Sequence, residues 1–332
     1  MSWTIGNYAL SQAQMNANAV EVYKYFSGRG WSLNAIAGIL GNMQSESYVN
    51  PGVWQSLNEG NYSGGFGLVQ WTPATNYTNW ATANGYSITD PNGQLYWIDA
   101  LSESTGQWIP TSSYNMSWGA FKTSGSSPED LASAFLKNFE RAGVEVESAR
   151  RSQARSFYNM LSQYGANSKA IESAVQWAIG IANDNSHGYD QGSRWGPDYD
   201  CSSLLITAYQ QAGIKVKDAG ATYTGNMYAA FKSCGFEDVT GSVNLATGSG
   251  IQRGDILLNV ASHTAMSIGN GQVVQASQNE NGGATGGATG DQTGQEIWCT
   301  NYYNFPWDYV LRLPGGGSAT TTGVYIVQWI PG

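Results

Sequence analysis

The apolar residues of this chain change their spacing once, and late. Up to about Gly213 they recur at three- and four-residue intervals. Beyond about Arg253 they gather in short runs: DILLNV, SHTAMSI, QVVQAS and YVLRL. The two patterns do not interchange, because side chains return to one face about every 3.6 residues in a helix and every two in a strand. Helices first and strands later predict an α+β chain. Its 332 residues suffice for two domains with separate cores.

The boundary is expected at YGANSK (164–169), between a helix ending near Gln163 and another beginning near Ala170. This gives a mostly helical domain over 1–164, a linker over 165–168 and an α+β domain over 169–314. GGGSATTTG then opens a flexible Gly/Thr-rich tail, 315–332, where VYIVQWIPG has room for one short strand. In the first domain Trp31–Glu46 is the most legible helix. Ser32 is its N-cap, Trp31 and Ile36 stand at the staple positions, and Ile36, Ile39, Leu40 and Met43 form its stripe. The second domain reads as a helix Ala170–Asn183, a polar loop to Asp200, and a helix Cys201–Ala212 closed by Gly213. The strands follow, with a Gly-rich loop, Asn281–Gly290, among them.

Composition narrows the partners. A net charge of −9 without any Lys/Arg-rich arm speaks against nucleic acid. With 13 Trp and 20 Tyr but only 12% charged residues, the surface suits stacking on neutral glycans. The N-terminus lacks a basic and then apolar leader, and no apolar run approaches the roughly 20 residues of a bilayer span. No membrane partner and no export signal are therefore expected. Cys201, Cys234 and Cys299, with only His187 and His263, suit neither a disulfide framework nor a structural zinc site, and no metal or cofactor is expected.

Two places carry chemistry. Glu46 stands seven residues after Ile39 and three after Met43, on the apolar stripe of its helix. A carboxylate so placed loses hydration and tends to keep its proton, as a general acid must. For a second carboxylate, spacing does not choose among Glu59, Asp90 and Glu140; Glu140, in FERAG, reads as an ion pair with a nearby arginine. Cys201 falls in the first turn of its helix, where N–H groups and the dipole favour a thiolate. A thiolate needs an imidazole. His263 starts a strand, whereas His187 sits in a loop; Cys234 and Cys299 have no polar neighbour in sequence. With Gly269-Asn270-Gly271 as a three-residue hairpin loop, Gln275 falls on the face of His263; a two-residue Asn-Gly turn puts it on the other.

The residues around both sites resemble known families. GILGNMQSESYVNPG followed by GFGLVQWTP is similar to the lysozyme domain of phage tail-tip hydrolases of small Bacillus podophages. More loosely, it is similar to the Glu-Ser … Gly-Leu-x-Gln pattern of goose-type lysozymes and lytic transglycosylases, here Glu46-Ser47 and Gly67–Gln70. FLKNFERAGVEVESARRSQARSFY looks like the closing helices of that domain. The resemblance implies cleavage of the MurNAc–GlcNAc β-1,4 bond, with Glu46 as acid and Gln70 lining the cleft. It leaves open hydrolysis, transglycosylation, or glycan binding without cleavage.

RWGPDYDCSS, RGDILL, SHTAMSIGNG, GDQTGQEI and PWDYVLRL resemble the papain-like NlpC/P60 superfamily, and most closely its phage endolysin branch (the amidase-5 group). That resemblance implies Cys201 as nucleophile, His263 as base and Gln275 as third member, a position where relatives often carry His. It also implies that Tyr189, Asp200 and Ser202 hold the stem peptide, that Trp195 walls the cleft, and that the Cys201 N–H helps form an oxyanion hole. Together the two resemblances imply a bifunctional peptidoglycan hydrolase, cutting glycan and either a D-glutamyl-L-amino acid bond or the MurNAc–L-Ala amide. Such an enzyme would work from a virion tail tip, beside other tail proteins, or be released from the host cytoplasm as an endolysin. A structural tail protein with vestigial sites is the remaining class.

Overall fold

In the computed structural model, residues 3–141 and 146–315 are described. The tail expected over 315–332 lies outside them, except for Gly315. The chain forms two compact units, 1–162 and 163–332. The first is helical and the second carries the sheet, as the change in spacing predicts.

The first unit contains α1 (Gln12–Ser27), α2 (Leu33–Ser47), α3 (Thr75–Ala83), α4 (Pro91–Tyr96), α5 (Trp118–Lys122) and α6 (Pro128–Phe135), and the start of α7 (Glu147–Ala182). Single π-helical turns follow α4 and α6, at Trp97–Leu101 and Leu136–Glu140. Ser32 caps α2 as expected, accepting from the Ala35 N–H at 3.1 Å. The helix ends where Tyr48 turns left-handed (φ 58°). Between its caps α2 is buried on nearly every side, because two glycines admit neighbours to its backbone. A Cβ on Gly38 would press on Leu131 of α6, and one on Gly41 would collide with the backbone of α7 at Arg150 and Ala154. That close approach sets the first site.

The linker expected over 165–168 is not a loop: α7 passes through those residues without a break. Gly165, Asn167 and Ser168 are weak helix formers, but tertiary bonds override that preference. The Asn167 amide donates to the Pro314 carbonyl at 2.7 Å, and its oxygen accepts from Gln163 at 2.7 Å.

In the second unit α8 (Cys201–Gln211) and α9 (Thr224–Ser233) accompany an antiparallel sheet of order β1-β6-β2-β3-β4-β5. Its strands are β1 (Glu237–Asp238), β2 (Ile256–Asn259), β3 (His263–Gly269), β4 (Gln272–Ala276), β5 (Ile297–Asn301) and β6 (Tyr309–Arg312). One face, with Ile256, Met266, Val274 and Leu311, packs in the main core with Leu204, Leu205 and Ala208 of α8 and with Ile171, Ala174, Val175 and Ala178 of α7. The other face carries Leu257, Ala265, Val273, Trp307 and Val310. Buried Asp255 ties β2 to β6 through a bidentate pair with Arg312, at 2.8 and 2.5 Å.

The β3–β4 hairpin corrects the expected loop while keeping its register. The turn is the two-residue Asn270-Gly271, both at positive φ (53° and 71°), with Gly269 paired to Gln272. That turn alone would send Gln275 to the opposite face. A β-bulge at Ile268 inserts one unpaired residue, and Met266 then pairs with Val274. Gln275 therefore shares the face of Ala265 and His263.

Candidate active sites

A cleft of about 740 Å³ in the first unit is lined by Glu46, Trp54, Gln70, Trp71, Glu140 and Arg141, among others. Glu46, in the last turn of α2, reaches it with a side chain 19% exposed. Its neighbour is not the apolar wall that the helix stripe predicts. Arg150 of α7 meets it at 2.5 Å, and the same guanidinium donates to the Asn42 side-chain oxygen at 3.0 Å. Asn42 is in turn fixed by donating to the Gly38 and Ala132 carbonyls. The absence of a side chain at Gly41 lets α7 come near enough for this.

Glu140 corrects a second expectation. Its sequence neighbour Arg141 turns instead to the carbonyls of Gln107 and Asn138, at 2.5 and 2.9 Å. Glu140 faces the cleft with Oε1 buried and unpartnered. Burial first, and then the charge of Glu46, push its carboxyl well above the usual range. Of the other candidates, Asp90 caps α4 through the Asn92 N–H at 2.8 Å, and Glu59 is exposed outside the cleft lining. Gln70 lines the cleft, and its amide nitrogen is held by the Val53 and Gly67 carbonyls, each at 3.1 Å. Seven described residues other than glycine have positive φ. Five of them line this cleft: Tyr48, Ser56, Leu57, Gln70 and Arg141. Such strain collects where a surface must hold an unusual shape.

In the second unit Cys201 begins α8, 5% exposed. α8 packs against β3, which brings the thiol near the start of that strand, and the backbone N–H groups of Thr264 and Ser202 act to favour its ionised form. His263, the preceding residue on that strand, puts Nε2 2.8 Å from Gln275 Oε1. An amide oxygen only accepts, so Nε2 carries the proton and Nδ1 keeps its lone pair. Tyr303 donates its hydroxyl to the same oxygen. Phe305 and Trp307 pack around the imidazole, with ring centroids 5.7 and 6.0 Å away. His187 is committed elsewhere: Nδ1 meets the Pro197 carbonyl at 2.6 Å, and Nε2 lies 3.8 Å from Asp184.

The helix N-terminus does not win at Cys201. Burial, then the adjacent Asp200 charge, outweigh the N–H groups and push the thiol up to about 11. Burial likewise lowers the His263 imidazole. Both shifts favour thiol and neutral imidazole, against the thiolate that the helix N-terminus alone favours. Asp200 and Ser202 are also placed differently from the expected peptide-holding surface. Asp200 caps α8 by accepting from the Ser203 N–H at 2.7 Å, accepts from the Ser202 hydroxyl at 2.9 Å, and pairs with Arg194 at 2.9 Å. Both are nearly sealed, at 3% and 2% exposure. Tyr189 is buried too; its N–H donates to Glu296, and its hydroxyl accepts from Gln191. Trp195 is exposed, with Lys217 3.6 Å over its ring and Arg194 at 5.1 Å. Cys234 and Cys299 are half-buried against the core.

Sequence reading missed Arg150, Arg194 and Tyr303. Arg194 stands in the RWGPDYDCSS stretch and Arg150 in FLKNFERAGVEVESARRSQARSFY, both already singled out, but Arg150 and Tyr303 reach their sites across 104 and 28 residues of chain, and spacing does not show those pairings.

Comparison with known proteins places these sites in context. Residues 17–161 match the family model described as phage tail lysozyme, and residues 196–274 and 273–324 match the endolysin-like domain. Morphogenesis protein 1 of Bacillus phage B103 is 43% identical over 177 residues, 53% of this chain and 47% of that protein. The chain thus spans about half the length of this curated relative. Among the described residues no helix is long and apolar enough to cross a membrane. The chain therefore joins a segment similar to phage tail lysozymes to one similar to endolysin-like domains.

Proposed function

We propose that the chain is a bifunctional peptidoglycan hydrolase of a phage tail, cutting glycan in its first unit and a stem-peptide bond in its second. The observation that carries the reading is the His263–Gln275 bond at the start of β3, the strand against which α8 packs with Cys201 in its first turn: it leaves Nδ1 with its lone pair. In this mechanism His263 takes the thiol proton as sulfur attacks the carbonyl carbon. The Cys201 N–H steadies the oxyanion, and the imidazolium then protonates the departing amine. Water, activated by the same imidazole, releases the acyl group from sulfur. The triad resembles that of NlpC/P60 enzymes, with Gln275 in the third place.

The bond proposed is the one after D-Glu or D-Gln of the stem, with Trp195 on the cleft wall. A second reading, the MurNAc–L-Ala amidase of an endolysin, gains from the sealing of Asp200, since the carboxylate that would receive a free α-ammonium is already taken by Arg194. In the first unit the cleft with Glu46 is proposed to cleave the β-1,4 bond after MurNAc, with Gln70 shaping its wall. The similarity to a phage morphogenesis protein supports a place in the virion tail with other tail proteins as neighbours.

Digestion of purified sacculi by the full chain tests all of this. New sugar reducing ends should vanish in Glu46→Gln, and new amines in Cys201→Ala, each variant keeping the other activity. Retention of either activity in its own variant sinks that assignment. 1,6-Anhydro ends would mean a transglycosylase, and a new N-terminal L-Ala an amidase.

A further inference from the structure

Two consecutive left-handed residues follow α2, and they send their side chains to opposite fates. Val49, at φ 53°, is fully buried. Tyr48, at φ 58°, lines the glycan cleft two residues beyond Glu46 and is 45% exposed. The left-handed position at a helix end ordinarily takes glycine, and a bulky or branched side chain there is strained. Hydrogen bonds on both sides enforce it. The Tyr48 and Val49 N–H groups close on the Gln44 and Met43 carbonyls, each at 3.2 Å, and the buried Asn18 amide donates to the Val49 carbonyl at 2.9 Å. Leu57 lines the same cleft and is built the same way, at φ 58° and 52% exposed. Asn7 braces its turn, donating to the Leu57 carbonyl and accepting from the Trp54 N–H, both at 3.0 Å. Among the described residues the Tyr48 side chain has no hydrogen-bond or ring partner. The strain at these two positions therefore buries nothing; it holds apolar side chains out in the cleft.

We propose that Tyr48 and Leu57 form the platform on which the glycan strand lies, Tyr48 stacking on the C–H face of one sugar ring and Leu57 giving an apolar contact to the strand. The assignment rests on the glycosidase reading above and names the residues that grip its substrate. A pyranose ring carries C–H groups on its faces and hydroxyls at its rim. A tyrosine matches both, with an apolar ring and a polar tip. Because the left-handed backbone sets the direction of each side chain beforehand, less order has to be imposed when the strand arrives. A contact to the ring face is made equally before and during bond cleavage, so it should act on KM and leave kcat alone.

The test separates strain from binding in the full chain. Tyr48→Gly removes the ring and suits the left-handed backbone, so the first unit should melt no lower than in wild type. On soluble, peptide-free glycan strands, the same variant should raise KM for release of sugar ends by about 3- to 10-fold, with kcat little changed. Tyr48→Phe, which keeps the ring, should retain the wild-type KM, and Leu57→Gly should raise it. An unchanged KM in Tyr48→Gly overturns the platform, and one in Leu57→Gly removes Leu57 from it. A lower melting temperature in Tyr48→Gly would show that the ring serves packing, and a raised KM in Tyr48→Phe that the hydroxyl is what binds; either result overturns the stacking role. If the wild-type chain releases no sugar ends, the glycosidase reading fails on its own. Calorimetric titration of wild type and Tyr48→Gly with the same strands then decides the platform: weaker binding by the variant supports it, and equal affinity or no binding by either overturns it.

Discussion

His263 and Gln275 meet at 2.8 Å from adjacent strands, on the sheet face away from α8, and Tyr303 bonds to the same amide oxygen. The contact fixes the imidazole tautomer, because the amide oxygen offers nothing for a bare nitrogen to accept. Burial keeps the Tyr303 hydroxyl protonated, its pKa pushed up to about 12, so it remains a donor across the working range. Gln275→Ala should lower peptide-bond cleavage by about 10²-fold through a misplaced ring, with Cys201 still open to alkylation. Gln275→His, which restores a ring nitrogen able to accept, should recover most of the rate. Tyr303→Phe should fall between wild type and Gln275→Ala. Steady-state kinetics on a soluble stem peptide would rank the variants, and an undiminished rate in Gln275→Ala would remove it from the proposed triad.

The neutral thiol has a consequence for pH. With Cys201 pushed up to about 11, iodoacetamide labelling of that residue should keep rising through pH 8–10, where an ordinary thiol levels off. Asp200 contributes to that rise, so Asp200→Asn should speed labelling at any given pH below it. Because burial lowers the His263 imidazole, the acid limb of peptide cleavage should lie below the ordinary histidine value of about 6.5. Site-resolved mass spectrometry after timed labelling would measure the first effect, and a pH–rate profile the second.

Glu140 should burden the fold at neutral pH. Its carboxyl titrates higher when folded than when unfolded, so the native state binds the proton more tightly. Stability from this group is present below the ordinary carboxylate range and lost as pH rises toward the folded value. Glu140→Gln should therefore melt higher than wild type at pH 7, by on the order of 2–4 °C, with the gap closing near pH 3. Calorimetry at both pH values would show it, and a gap that widens in acid contradicts the buried neutral acid.

Residues from the second half of α7 belong to the core of the second unit. A fragment starting at Gln163 keeps Ile171, Ala174, Val175 and Ala178, all buried there. One starting at Asn183 loses them, and truncating a single large side chain in such a core costs about 2–5 kcal/mol. The longer fragment should unfold cooperatively in urea and the shorter should not, as circular dichroism would report.

The sequence made some elements plain and hid others for physical reasons. The stripe and cap of α2, and four strands of alternating or continuous apolar residues, depend on local spacing and were legible. β5 was not: Ile297–Asn301 offers one fully buried side chain, and its place comes from pairing with β4. The unbroken α7 was hidden because Asn167 is satisfied by Pro314, 147 residues away. At the sites, the helix start at Cys201 and the strand start at His263 were legible in local pattern, whereas the side taken by Gln275 stayed open between two turns and is set by the bulge. The electrostatics were not legible, since a helix N-terminus and an apolar stripe are read from one segment alone. Arg150 and Glu140 reach Glu46 from other segments of the chain.

The bulge at Ile268 makes the β3–β4 hairpin a counting device. Sidedness along a strand has only two values, so with the two-residue turn kept, each residue added or removed along the strands between His263 and Gln275 turns one of them over. Deleting Ile268 alone should point the Gln275 amide into the apolar core beneath α8 and bring Val274 toward the imidazole, with the nucleophile untouched. Removing a second residue from the strands would restore the sidedness. Changes of length within the strands should therefore come in even steps, whereas the Asn270-Gly271 tip can lengthen without turning either side chain over.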